Sequence, residues 1–387
     1  KGQRKTEVDV DVALRNGTFN LTSQKLQAVD LNTDVHFDLE HGLSAPELRG
    51  QSFAGPLSGK LETRKVKQGG QTIVLGLKGK AQVSALQDWL HLSLLQPLSG
   101  ALDYQVDLQV PTGAAKKHLH GYLNVTSQLK GTRIDLPAPY GKTAKERREF
   151  RVWQSMDREP SLFSVRYDDL FELSLQRRQG QVSKGVLTLG GQKAVLPSDD
   201  VFRVEGNLGR FDPAEWETAL ANIRKASGQY QENVDPTRLP LLDSSQLTIN
   251  ELILGDNNLG ALRIDLQRQG EDWRVGLNSK AIAGTVVLPP HVFRGASGFT
   301  AADRPVQVQL EHVRLPKKEL PEGAPEPEWV PSSLSPLDLP NARVLIKDLQ
   351  VGDGSFGRWA LGLQRTPQGL QLNDIDVFMR SVQLKAK

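Results

Sequence analysis

Two segments near the end of the chain, residues 252–268 and 349–365, share Leu, Gly-Asp, Gly and Leu-Gln-Arg at a constant offset of 97 positions, Leu252 to Leu349. The first copy holds Leu252, Gly255, Asp256, Gly260, Leu266, Gln267 and Arg268; the second holds Leu349, Gly352, Asp353, Gly357, Leu363, Gln364 and Arg365. Each reads as a strand, a Gly-Asp turn, and a second strand with alternating apolar residues: Leu262, Ile264 and Leu266, or Trp359, Leu361 and Leu363. That pattern predicts an antiparallel hairpin. A chain that adds like hairpins in series builds long continuous surfaces rather than enclosed pockets.

Alternation at period two recurs along the rest of the chain. It runs through Val8/Val10/Val12/Leu14, Leu102/Tyr104/Val106/Leu108/Val110, Leu119/Gly121/Leu123/Val125, Phe163/Val165/Tyr167, Leu173/Leu175, Val306/Val308/Leu310 and Leu370/Leu372. One apolar and one polar face is the strand pattern. Turn signals separate these runs: Arg15-Asn16-Gly17, Gln179-Gly180, Gly190-Gly191, Gln269-Gly270 and Gln368-Gly369. Two segments have helical spacing, residues 82–95 and 212–226, the second with Asp212 as N-cap and Pro213 at the first helical position. Prolines interrupt the strands at 136–151, 233–241 and 316–340, the last reading as an extended polyproline-like insertion. The expected segments are therefore 1–135 with a short helix near 82–95, 136–232 with a helix near 212–226, and 233–387 with hairpin copies near 242–268 and 339–365.

Charge and cysteine content remove several classes of function. The 48 Lys and Arg nearly balance 45 Asp and Glu and are dispersed, which argues against nucleic-acid binding by bulk charge. With no cysteine there is no disulfide, thiolate metal site or thiol nucleophile. No apolar run approaches the roughly 20 residues that span a bilayer, and residues 1–11 lack a signal-peptide core. Because the alternation starts at Val8, the chain reads as a piece of a longer protein whose targeting signal or anchor lies upstream.

The chemistry-bearing patterns resolve into structural ones. Residues 352–357, Gly-Asp-Gly-Ser-Phe-Gly, match G-x-G-x-x-G by letter, but residues 358–365 alternate like a strand, and the other copy lacks the middle glycine. His118 and His120, two apart on an expected strand, share a face, yet no third ligand is near and Lys116 and Lys117 repel a cation. Asp168-Asp169 and Asp199-Asp200 are adjacent, so on a strand each pair would split between faces; they read as turn residues rather than paired catalytic acids. The densest positive patch, Lys142, Lys145, Arg147, Arg148 and Arg151, is read as a solvated loop, with a contact to lipid headgroups or an anionic partner as the second reading.

Two motifs carry a family resemblance. Residues 136–144, Leu-Pro-Ala-Pro-Tyr-Gly-Lys-Thr-Ala, resemble the L-P-x-P-x-G-K segment of YhdP-type proteins of the AsmA-like superfamily. Residues 206–212, Gly-Asn-Leu-Gly-Arg-Phe-Asp, with Trp216, are similar to that family's G-x-L-x-x-x-D-x-x-x-W segment, and the hairpin repeats and proline-rich insertion are similar to its C-terminal portion. The resemblance implies a Gram-negative envelope protein, held in the inner membrane by an upstream helix, extended through the periplasm, and associated with phospholipid movement to the outer membrane.

The resulting expectation is a mostly β fold: an elongated, twisted antiparallel sheet curled into a U-shaped apolar groove, with two short helices. It would bind phospholipid acyl chains without enzymatic chemistry or cofactor, with phospholipids, the two membranes and other envelope proteins as partners and no nucleic acid. The candidate lining is Val106, Leu108, Leu123, Val165, Leu187, Leu189, Ile249, Leu262, Ile264, Leu277, Val308, Leu310, Ile346 and Leu361. A one-residue register slip would turn each strand's set to the other face. The alternatives are a periplasmic scaffold that recruits proteins by strand addition and a carbohydrate-active or adhesive β-solenoid.

Overall fold

Recurrent alternation with few helical signals produces a fold that is mostly strand among the described residues. The computed structural model describes residues 8–22, 25–227, 242–255, 257–290, 292, 300, 302–316, 339–366, 369–379 and 382–386. Contacts divide the chain into two units, residues 1–201 with 215–240, and residues 202–214 with 241–387. The prolines of 233–241 and nearly all of the insertion at 316–340 lie outside the described residues.

The first unit begins with long strands: β1 (Asp9–Leu21), β2 (Leu26–Asp38), β3 (Gly42–Ser52), β4 (Gly55–Lys65), β5 (Gln71–Gln82) and β6 (Leu98–Thr112). Shorter ones come next: β7 (Tyr122–Ser127), β8 (Thr132–Ile134), β9 (Phe150–Ser155), β10 (Ser161–Tyr167), β11 (Phe171–Arg178) and β12 (Gln181–Leu189). Each pairs antiparallel with the next, except that β7 passes over β8 to pair with β9, while β8 pairs with the start of β6. The Arg15-Asn16-Gly17 signal, expected to turn the chain, instead makes a bulge inside β1, where Asn16 takes φ 50 and the register shifts between Leu14 and Gly17. An Asn in the left-handed region satisfies a bulge as well as a turn, so the tripeptide alone does not separate the two.

The helix expected over 82–95 is shorter. α1 (Val83–Leu90) stops where His91 adopts φ 53, and a single 3-10 turn (Ser93–Leu95) comes after it. The Gln87 side chain bonds Leu95 O at 2.8 Å and Leu98 O at 3.1 Å, holding the chain folded back across the break. α2 (Pro213–Ser227) starts as expected: Asp212 Oδ1 accepts from Ala214 N at 3.1 Å.

The second unit contains β13 (Phe202–Phe211), β14 (Leu242–Leu254), β15 (Asn257–Asn258), β16 (Leu262–Gln269), β17 (Asp272–Ser279) and β18 (Ile282–Leu288). It continues with β19 (Val306–Leu315), β20 (Ala342–Val351), β21 (Gly354–Thr366), β22 (Gly369–Met379) and β23 (Val382–Ala386). Most pairings are antiparallel, as expected, and two, β13–β14 and β19–β20, are parallel. Both parallel steps join strands separated by a long stretch of chain, as a crossover requires. They also precede the two hairpin copies: β14 and β20 are equivalent strands. In both copies the repeat glycines sit in the left-handed region, Gly255 at φ 58 and Gly260 at 74, Gly352 at 55 and Gly357 at 67.

Candidate functional site

Cross-strand register decides which side chains share a face. In the first unit one row crosses seven strands without a polar residue: Leu77, Val106, Val125, Val152, Val165, Leu173 and Leu187. At about 4.8 Å per strand the row is roughly 29 Å wide. Beside it runs Leu75, Leu108, Leu123, Gln154, Phe163 and Leu175, and on the other side Phe150, Tyr167, Phe171 and Leu189. Val106, Leu108, Leu123, Val165, Leu187 and Leu189 therefore lie together on one face. The opposite face carries Lys78, Asp107, Asn124, Arg151, Arg166 and Glu172.

The second unit repeats the arrangement. One row holds Leu247, Ile264, Leu277, Gly284, Leu310, Ile346, Trp359 and Val377, and its neighbour holds Leu266, Val275, Val286, Val308, Val344 and Leu361. Ile249 pairs with Leu262 in the row beyond. Ile249, Leu262, Ile264, Leu277, Val308, Leu310, Ile346 and Leu361 thus also share a face.

What covers these faces matters more than their composition. In a sandwich a second sheet buries the central rows. Here every side chain of the Leu77-to-Leu187 row is only half-buried, as are Ile264, Leu266, Val275, Leu277, Val308, Val344, Ile346 and Leu361. Ile249 (3 % exposed), Leu262 (6 %) and Leu310 (9 %) are the buried members of the candidate lining. Contiguous apolar surface of this extent is uncommon on monomeric soluble proteins, where large patches accompany interaction sites or ligand grooves.

In the first unit one end of the face is closed. The Phe53 ring meets Trp89 of α1 at 5.0 Å, tilted by 49°, and Phe53 packs on a cluster of Ala28, Leu31, Leu57, Ala81 and Tyr104. The proline-glycine-lysine segment forms the neighbouring closure, with Leu136 packed on buried Leu129, Ile134 and Tyr167. Tyr167 Oη donates to Tyr140 O at 3.0 Å, and burial pushes this phenol up to about 12. The Tyr140 ring meets Trp216 edge-on at 5.6 Å, so the two motifs that carry the resemblance touch. Gly141 has no room for a Cβ, which would overlap Leu136 O.

Lys142 departs from the expected solvated patch. It is 5 % exposed, and its Nζ donates to Leu129 O at 2.8 Å, to Thr143 O at 2.9 Å and to Thr132 O. Burial pushes the ammonium below the usual lysine range, with Glu146 acting in the opposite direction. Three carbonyls hold the charge in place of water, as a buried cation requires. Lys145, Arg147 and Arg151 stay exposed, and half-buried Arg148 pairs with Asp168 at 3.6 Å.

The other chemistry-bearing residues disperse. His118 and His120 lie between a 3-10 turn (Gly113–Lys117) and β7, so they do not share a strand face as expected; His120 Nδ1 lies 3.7 Å from Asp157. Asp168 and Asp169 occupy the β10–β11 turn, and Asp200 pairs with Arg178 at 2.9 Å. Residues 352–357 form the β20–β21 turn and enter a strand.

A cluster absent from the sequence pattern lies on β1 and β2, where register brings together residues about 25 positions apart. His36 Nδ1 is 2.9 Å from Asp11 and 3.5 Å from Asp9, and its Nε2 is 3.2 Å from Asp38. Asp9, Asp11 and His36 are the described residues whose ligand atoms could converge on one cation. The Asp11 hydrogen bond raises the His36 pKa above 6.5, and the His41 N–H leads the bonds that hold Asp38 at about 2. The His36 contribution is complete below 6.5 and lost as pH rises through its folded value; that of Asp38 is complete above 3.8 and lost as pH falls through about 2. Amide exchange of the β1–β2 pair is therefore expected to be slowest, after correction for intrinsic rates, between about pH 4 and 6.5.

No curated protein and no solved structure matches the chain. The profile of one protein family, described as YhdP protein, matches residues 1–387. Since that match takes in every residue, the chain belongs to the YhdP family.

Proposed function

We propose that this chain is a non-enzymatic lipid carrier of the Gram-negative envelope. Its apolar face holds the acyl chains of phospholipids passing between inner and outer membranes, in the periplasm, with an anchor upstream. The observation that carries the reading is the row from Leu77 to Leu187, apolar across seven strands and half-buried throughout. Family membership supports the envelope setting. Each methylene taken from bilayer to water costs about 0.8 kcal/mol, so a carrier must supply apolar contact along most of each chain. A continuous aliphatic face does so without directional polar groups.

The test is native mass spectrometry and lipid extraction on protein purified from a bacterial envelope. The wild type is expected to carry phospholipid. Leu108→Asp, Leu123→Asp and Ile264→Asp, with unchanged circular dichroism, are expected to retain less than a tenth as much, because each places a charge on the acyl-bearing face. Lipid-free wild type would overturn the carrier reading. One observation favours the second reading, a scaffold acting by strand addition: β1 pairs only with β2 among the described strands, and it exposes Val10, Val12, Leu14 and Phe19. Lipid-free protein that captures an envelope partner through β1 would support it.

A further inference from the structure

Gln154 interrupts the apolar face of the first unit. In the three rows of that face only two side chains carry a polar group, Gln154 and Tyr167. The Tyr167 hydroxyl is committed to Tyr140 O at 3.0 Å. Gln154 stands between Leu123 on β7 and Phe163 on β10, and its amide bonds no protein group among the described residues. The side chain is half-buried, and its amide atoms are not closed off, in contrast to Thr72 Oγ1, which is buried without a partner. Glutamines that serve the fold of this unit are held: Gln87 Nε2 donates to Leu95 O and Leu98 O, and Gln176 Nε2 to Ser183 Oγ at 3.4 Å.

An acyl methylene laid over Gln154 would strip water from the amide and return nothing, so a face that carried hydrocarbon alone would disfavour glutamine here. A diacyl lipid brings its own acceptors, the ester carbonyls that join each chain to the glycerol. The surroundings of Gln154 are graded in the same order as such a lipid. β9 ends at Ser155, and the turn beyond it exposes Asp157, Arg158 and Glu159. In the other direction alternation puts Val152 and then Phe150 on the same face, and Phe150 packs against the Leu129, Ile134 and Tyr167 cluster that closes it. From Gln154 to Phe150 the strand rises about 13 Å. One bilayer leaflet has a hydrocarbon depth of roughly 15 Å, half of about 30 Å. Charged turn, amide and closed apolar run thus match headgroup, ester and chain.

We infer that the Gln154 amide donates from Nε2 to an ester carbonyl of a bound phospholipid and so fixes where along β9 its acyl chain starts, an assignment that rests on the proposed carrier function. The test offers the full chain vesicles holding equal amounts of diacyl and dialkyl phosphatidylcholine of the same chain length. Native mass spectrometry reads the ratio taken up. The two lipids share headgroup and hydrocarbon length and differ in ester against ether linkage, and the ether oxygen is the weaker acceptor. The wild type is expected to favour the diacyl lipid by roughly fivefold, the range of one neutral hydrogen bond. Gln154→Leu is expected to take up both equally, with dialkyl uptake no lower than in wild type, because leucine continues the apolar row. Gln154→Met, unbranched like glutamine, is expected to do the same, and it carries the test if the leucine variant does not fold. Gln109→Leu, on the outer face where it pairs with Tyr122, is the control and is expected to keep the wild-type ratio. Equal uptake by wild type, or the fivefold preference kept by a Gln154 variant that folds like wild type, overturns the inference. A preference lost in Gln109→Leu as well overturns its assignment to Gln154. Wild type that takes up neither lipid overturns the carrier reading itself, and this inference with it.

Discussion

Lys142→Met is expected to lower the stability of the first unit by about 3 kcal/mol, because methionine fills a similar volume but leaves the carbonyls of Leu129, Thr132 and Thr143 without the ammonium. For a unit of this size that corresponds to a fall of roughly 6–12 °C in Tm. The effect reaches the apolar face, since these carbonyls belong to the segment packed on Tyr167. Lys145→Met, three positions on and exposed, is expected to change Tm by less than about 2 °C. Calorimetry on both proteins decides it; equal Tm values would mean that the buried ammonium is not what holds the segment.

The repeat supplies the second large effect. Gly260 and Gly357 hold the same place in the two copies, at φ 74 and 67. A Cβ at Gly260 meets nothing within 4 Å, whereas at Gly357 it would overlap Phe378 O in the neighbouring strand β22. Gly260→Ala is therefore expected to cost about 1 kcal/mol, the backbone penalty alone, and Gly357→Ala about 3 kcal/mol, because β21 and β22 must also separate. Urea unfolding of the two variants gives the comparison. Equal losses would show that the close approach of β22 is not needed.

The face assignments were open to sequence reasoning because alternation has one period and one consequence. Once a strand is right, Leu123 and Val125 must point the way Val106 and Leu108 do, and pairing only aligns them. The turns at Gly180 and Gly270 were legible for a similar reason, since glycine at a positive φ leaves a mark in the sequence, whereas Arg15-Asn16-Gly17, which reads the same way, is a bulge. Lys142 was not legible: its cage is three main-chain carbonyls, and carbonyls carry no residue identity. The parallel steps β13–β14 and β19–β20 were hidden because the partner of a strand beyond a long excursion is not encoded in the strand's own alternation. The acid-histidine cluster on β1 and β2 depends on register in the same way.

The most direct test of the central claim uses a phospholipid with a photoactivatable acyl chain, loaded onto the full chain, crosslinked and mapped by peptide sequencing. The account predicts adducts on Val125, Val165 and Leu277, all on the apolar faces, and none on Asn124, Ser164 or Asn278 beside them in the same strands. Adducts spread equally over both faces, or confined to the exposed residues of β1, would contradict it.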